Sequence, residues 1–129
     1  MILLDTHALI WFASEPARLS ANARQSINTA YQRGGIAISA ITLWELAWLA
    51  IHGRISFPGN PEVFVERVSA HTIVRPITAR VAILANRLPA GYSTDPCDRL
   101  IGATAQAEGL ALVTKDRNIR ACREIKTIW

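Results

Sequence analysis

The chain has 129 residues, half of them apolar and 19% charged, a composition that suits one folded core and excludes a disordered or low-complexity protein. Fourteen basic residues against ten acidic ones give a net charge of +4, which favours polyanions such as nucleic acid without demanding them. Two cysteines, Cys97 and Cys122, are too few for a disulfide framework and lack metal-ligand spacing, and no apolar run reaches the roughly 18 residues of a membrane span, so a soluble cytoplasmic protein with reduced thiols is expected.

Short apolar runs alternate with longer amphipathic stretches, the pattern of an α/β fold on a parallel sheet. Met1-Ile2-Leu3-Leu4 has no basic flank and is broken by Asp5 and His7, so residues 2–4 are expected to be a strand rather than an export leader. Helices follow at 7–13 and 20–33, a strand at 36–38, helices at 42–52 and 61–70, and a strand at 72–74. Then come helices at 78–88 and 98–108, a strand at 110–113, a weak helix at 117–123 and a closing strand at 126–128. Pro16, Gly34-Gly35, Gly53, Pro58-Gly59, Pro76, Pro89 and Gly109 fall between these segments, as punctuation should. No repeat or linker interrupts them, so a single domain over 1–129 is expected. From Ile41 to Ile51 the helix is apolar on every side, with Glu45 its one charge; such a helix is deeply buried or pressed against another chain.

All four aspartates stand where a strand ends or a helix begins. Asp5 follows the first strand, Asp95 and Asp98 flank Pro96, and Asp116 closes Leu-Val-Thr-Lys-Asp after the fourth strand. Each also fits a bland role: Asp95, Asp5 and Asp116 as helix caps, and Glu45 as the acid of a Thr42-x-x-Glu45 capping box. In open α/β sheets, however, the functional site lies beyond the carboxyl ends of the strands. Acids gathered there repel one another unless a cation neutralises them, and an all-oxygen donor set selects Mg²⁺ before Mn²⁺ and disfavours zinc. Ser39, Thr6 and Thr114 fit either hydrogen bonding at such a site or helix capping, with capping preferred for Thr6. His7 stands beside Asp5, whereas His52 and His71 fit ordinary helix ends. Arg99, Arg117 and Arg120, near the acids in sequence, are candidate phosphate contacts.

Five segments, Leu-Leu-Asp-Thr-His-Ala-Leu-Ile-Trp (3–11), Ile-Thr-Leu-Trp-Glu-Leu-Ala (41–47), Asp-Pro-Cys-Asp-Arg-Leu-Ile (95–101), Leu-Val-Thr-Lys-Asp (112–116) and the closing Thr-Ile-Trp, together resemble the PIN-domain ribonucleases, and within them the VapC-type toxins of bacterial toxin–antitoxin pairs. The resemblance implies a three-layer α/β/α fold with about five short parallel strands and Mg²⁺- or Mn²⁺-dependent endoribonuclease activity. It also implies frequent homodimers and inhibition by a small VapB-like antitoxin. Carried over residue by residue, Asp5, Glu45 and Asp98 match the three core acids and Asp116 the more variable fourth. Tyr92-Ser93-Thr94 before Asp95, Cys97 and Leu49 depart from similar sequences, which bears on substrate choice and antitoxin contacts.

Two enzyme rivals lack their acids. A haloacid-dehalogenase phosphatase needs an Asp two residues after the first, where this chain has His7, and a receiver domain needs a phosphoacceptor Asp near mid-chain, where there is none. A rival of another class is a non-catalytic module that binds RNA or a partner on the same fold.

Overall fold

The computed structural model describes residues 1–129. Five strands, β1 (Ile2–Leu4), β2 (Ile36–Ser39), β3 (Ile73–Arg75), β4 (Leu112–Val113) and β5 (Thr127–Ile128), form one sheet in the order β3-β2-β1-β4-β5. Every neighbouring pair is parallel. Seven helices connect them: α1 (Thr6–Ser14), α2 (Ala21–Arg33), α3 (Ala40–Ile51), α4 (Pro61–His71), α5 (Ala79–Arg87), α6 (Pro96–Glu108) and α7 (Arg117–Arg120), with a 3-10 turn at Pro16–Arg18.

Alternation along the strands divides the core into the expected layers, because successive side chains point to opposite faces of a sheet. Leu4, Ile36, Ile38 and Val113 face α1, α2 and Leu46 of α3. Leu3, Ala37 and Leu112 face Ile101 and Ala105 of α6, with Leu88 and Tyr92 from the segment before it. Leu3, Leu4, Leu112 and Val113 are wholly buried, and each such aliphatic side chain contributes roughly 2 kcal/mol on burial.

The chain runs from β1 outward through β2 to β3 and then returns to lay β4 on the other side of β1. Connections therefore leave in opposite directions at the carboxyl ends of β1 and β4, the topological switch point where α/β sheets place their ligands.

Candidate functional site

Asp5 is the first residue past β1 and caps α1: its Oδ1 accepts the amides of His7 at 2.7 Å and Ala8 at 3.4 Å. Its Oδ2 accepts the hydroxyl of Thr114, just past β4, at 2.7 Å. One carboxylate thus ties together both strands of the switch point. Asp116 caps α7 through the amides of Asn118 and Ile119 at 2.8 and 3.1 Å, and its own amide reaches Thr114 Oγ1 at 3.2 Å. Capping and a place in the site coincide for both aspartates rather than competing.

Glu45 arrives from another direction. β2 runs directly into α3, so Ser39 is both the last strand residue and the N-cap. Thr42 is then already inside the helix, and the capping box expected from Thr42-x-x-Glu45 does not form. Thr6, expected to cap, instead donates its hydroxyl to Glu45 Oε1 at 2.7 Å and lies 3.0 Å from the Thr42 hydroxyl. Both threonines are buried, which fixes the orientation of Glu45.

Asp98 stands in the first turn of α6, two residues inside the Pro96 that opens the helix, with Asp95 as N-cap. The Ser93 hydroxyl donates to Asp98 Oδ2 at 2.9 Å and the buried Tyr92 hydroxyl to its backbone carbonyl at 2.9 Å. Tyr92 fits because residue 102 is glycine; a Cβ there would collide with the Tyr92 hydroxyl. Arg99, expected as a candidate phosphate contact, is committed elsewhere. Its guanidinium donates to the carbonyls of Ala85, Ser93 and Leu88 at 2.8, 2.7 and 2.6 Å, so it braces the segment that holds Ser93 against Asp98.

Asp5, Glu45, Asp98 and Asp116 line one cavity of about 490 Å³ with His7, Trp11, Arg18, Asp95 and Lys115. All four sequence-expected acids meet there, joined by Asp95. None of the five forms an ion pair; the two in the molecule are Arg18 with Glu15 and Arg75 with Glu108. Burial raises the Glu45 pKa against the opposing hydrogen bond from Thr6, and the charges of Asp98 and Asp95 push the same way. Burial likewise raises Asp98 against the Ser93 hydrogen bond, helped by Asp95, Asp5 and Asp116. Cys97 beside them is pushed up to about 11, first by burial and then by Glu45, which favours the neutral thiol over the nucleophilic thiolate.

The cations of the cavity are ones the sequence did not single out. Arg18 lies over the Trp11 ring at 4.5 Å and Lys115 at 5.8 Å, whereas Arg117 and Arg120 do not line it. Arg18 approaches because the 3-10 turn that follows α1 folds back over it, a contact seven residues apart that helical periodicity does not report. His52 and His71 bond the carbonyls of Trp48 and Arg67 one turn back, ordinary helix-end roles. Ser39 caps α3 and lies near Thr104.

The donor set is wholly oxygen, the chemistry of a hard divalent cation. No three His, Cys, Asp or Glu side chains form a ready cage for an ion. The all-oxygen lining fits Mg²⁺, an ion that takes few protein ligands and keeps several of its waters.

The PIN-domain pattern matches residues 2–124. Ribonuclease VapC22 of Mycobacterium tuberculosis is 41% identical over 130 residues, spanning 99% of this chain and 98% of that one. Among solved structures, VapBC2 from Rickettsia felis bound to a promoter DNA fragment superposes with a TM-score of 0.74 at 18% identity, covering 98% of this chain and 97% of that chain. A toxin–antitoxin complex from Klebsiella pneumoniae gives 0.71 at 23% identity, covering 97% and 95%. The structural likenesses establish the fold, and no helix here is long and apolar enough to cross a membrane. By the pattern along nearly its whole length and by its identity to VapC22, the chain belongs to the PIN-domain family, in its VapC group.

Proposed function

We propose that this protein is a Mg²⁺- or Mn²⁺-dependent endoribonuclease and the toxin of a toxin–antitoxin pair. The observation that carries this reading is the gathering of Asp5, Glu45, Asp95, Asp98 and Asp116 into one cavity without a single ion pair among them. Such a cluster is relieved by a cation, and the relative 41% identical is named a ribonuclease. Asp5, Glu45, Asp98 and Asp116 would hold such an ion. Once bound, it supplies Lewis-acid stabilisation of phosphate charge and a water of lowered pKa at neutral pH.

The chain's own groups do the positioning. Thr6, Thr114 and Ser93 hold Glu45, Asp5 and Asp98 in fixed orientations, and Arg18 and Lys115 at the same cavity offset the phosphate charge of an entering strand. The solved structures of like fold include toxin–antitoxin complexes, which supports a VapB-like antitoxin as the inhibitory partner. A homodimer and a cytoplasmic location complete the reading.

Incubating purified protein with single-stranded RNA and Mn²⁺ tests it. Cleavage is expected, EDTA should stop it, and Asp98→Asn should reduce it about a hundredfold or more, since even partners of metal ligands cost up to that much. The variant should keep its circular dichroism spectrum. Cleavage that persists in EDTA, or an Asp98→Asn protein as active as the original, rejects the reading.

A further inference from the structure

A second cavity, of about 600 Å³, adjoins the acidic one and shares its His7, Trp11 and Arg18. The two meet at these residues of α1 and the 3-10 turn, but their chemistry differs. The acidic cavity sets five carboxylates against Arg18 and Lys115, while the second sets Arg18 and Arg54 against Glu15 alone and is walled by Ile10, Leu49 and Ile55.

A single turn builds this wall. α3 ends in a Schellman motif in which the Gly53 amide bonds the Ala50 carbonyl at 3.3 Å and the Arg54 amide bonds the Leu49 carbonyl at 2.8 Å. Gly53 takes φ 66°, the left-handed conformation this motif asks of its glycine. The reversal returns Arg54 and Ile55 to Leu49. Across from them one face of the Arg18 guanidinium lies on Trp11 at 4.5 Å, and Glu15 holds it at 3.7 Å. The Arg18 side chain remains 53% exposed. Arg54 is exposed and belongs to neither ion pair of the molecule.

We propose that this second cavity is a nucleotide subsite, which holds the nucleotide flanking the scissile phosphate of single-stranded RNA. Its base stacks on the outward face of Arg18 and against Leu49 and Ile55, and its phosphate is bound by Arg54. The assignment rests on the ribonuclease reading for the identity of the strand. Guanidinium planes are stacking platforms for unpaired bases, and a guanidinium with no carboxylate partner is a ready phosphate ligand. The volume falls in the range of small-ligand sites. The two cavities share a wall, so a strand with a phosphate over the acids lays its next base there.

Arg54→Ala separates the possibilities, because the residue is exposed and lies outside the acidic cavity. Binding of a labelled single-stranded thymidine pentamer in Mg²⁺ is measured by fluorescence anisotropy across salt concentrations, beside RNA cleavage kinetics and a thermal melt. Loss of one phosphate contact should weaken pentamer binding about tenfold and lower the salt slope by about 0.7. KM for RNA should rise about tenfold and kcat change less than about twofold, the signature of lost uniform binding. Leu49→Asp should weaken pentamer binding as well, by placing a like charge beside the strand. Binding and KM unchanged in Arg54→Ala, with RNA still cleaved by the original protein, overturns the subsite and leaves the ribonuclease reading intact. Pentamer binding that depends on Arg54, with no RNA cleavage by the original protein, retains the nucleotide site and defeats the ribonuclease reading instead. A variant that binds the pentamer normally but loses self-association marks the wall as a protein contact, which also overturns the proposal.

Discussion

Two surfaces of this molecule, the acidic cavity and the outward face of α3, depart from the pattern of a satisfied fold in opposite ways. In the cavity, five carboxylates crowd together and none forms an ion pair, yet hydrogen bonds hold Glu45, Asp5 and Asp98 in place. On α3, Trp44, Trp48 and Ile51 are 59%, 41% and 69% exposed, with a stacked His52 over Trp48 as their chief local partner. The cavity strains the electrostatics while fixing geometry; the α3 face wastes apolar area while fixing little. Local rules break where something external completes them; the proposed cation would do so in the first case and a protein surface in the second. The same helix carries Glu45 into one region and the tryptophans into the other, so substitutions on its two sides separate the two kinds of incompleteness.

The largest expected effect on stability comes from the brace behind the cavity. Arg99→Ala removes three charge-assisted hydrogen bonds to the carbonyls of Ala85, Leu88 and Ser93, a loss on the order of 3 kcal/mol, or roughly 10 °C in Tm. Arg99→Lys should recover little of it, because an ammonium cannot reproduce a fork spread over three acceptors. RNA cleavage should also fall below the melting range, since Ser93 no longer holds Asp98. Differential scanning calorimetry that finds Arg99→Ala as stable as the original protein would show that the 85–93 segment is held by apolar packing alone.

That brace also shows where sequence reading stops. The strands were legible because Ile, Val and Leu runs are bounded by glycine, proline and acids, and the aspartates were legible because they stand at those boundaries. Asp5, Asp98 and Asp116 meet in one cavity, as their places at strand ends and helix starts suggested, and Glu45 joins them from inside α3, where only the family resemblance marked it as a core acid. The strand expected at 110–113 pairs only over Leu112–Val113, because the Leu110 amide is still engaged with the Ala105 carbonyl at the end of α6. Arg99, Arg18 and Thr6 were misjudged or missed for one physical reason. Their partners are carbonyls, an indole ring and a carboxylate brought near by tertiary folding, and no periodicity reports such contacts. Local capping rules misplaced Thr42 for a related reason: with no loop between β2 and α3, the helix starts three residues earlier than the box requires.

A smaller effect is expected within the cavity. In the fold Glu45 and Asp98 bind protons more readily than in the unfolded chain, so the native state carries extra protons just above the ordinary carboxyl range. Stability of the metal-free protein therefore falls as pH rises through the window between the unfolded and raised folded values. Glu45→Gln keeps an acceptor for Thr6 and removes one of these charges. At pH 7 without metal it should melt higher than the original protein, because burial and the neighbouring carboxylates oppose the charge that the substitution removes. The gain should vanish below the ordinary glutamate value of 4.5, where the carboxyl is neutral in both states. Mg²⁺ should raise the melting point of the original protein and move the variant less, because the variant lacks one donor. Melting curves of the two proteins that superimpose at every pH, with and without Mg²⁺, would remove Glu45 from the cation site.

The smallest effect on folding is expected on the outward face of α3. Exposed positions away from buried networks change stability by about 0.5 kcal/mol or less, and Trp44 and Trp48 are both exposed, with the His52 ring stacked on Trp48 at 4.1 Å between centroids. Trp48→Ala combined with Trp44→Ser should therefore leave the melting point of the isolated chain nearly unchanged while altering how it associates. Large aromatic side chains centred on a patch carry most of an interface's free energy, and a stable interface buries about 1,000 Å² or more. Sedimentation velocity over a hundredfold concentration range should show the original protein as a dimer and the double variant shifted toward monomer. A buried-core role predicts the opposite pattern, a lower melting point with association unaltered. An original protein that sediments as a monomer at every concentration would remove the homodimer, and the apolar face of α3 would then be free for the antitoxin. In that case the two tryptophan substitutions should weaken antitoxin binding by calorimetry, while Glu45→Gln, on the inner side of the same helix, leaves it unchanged.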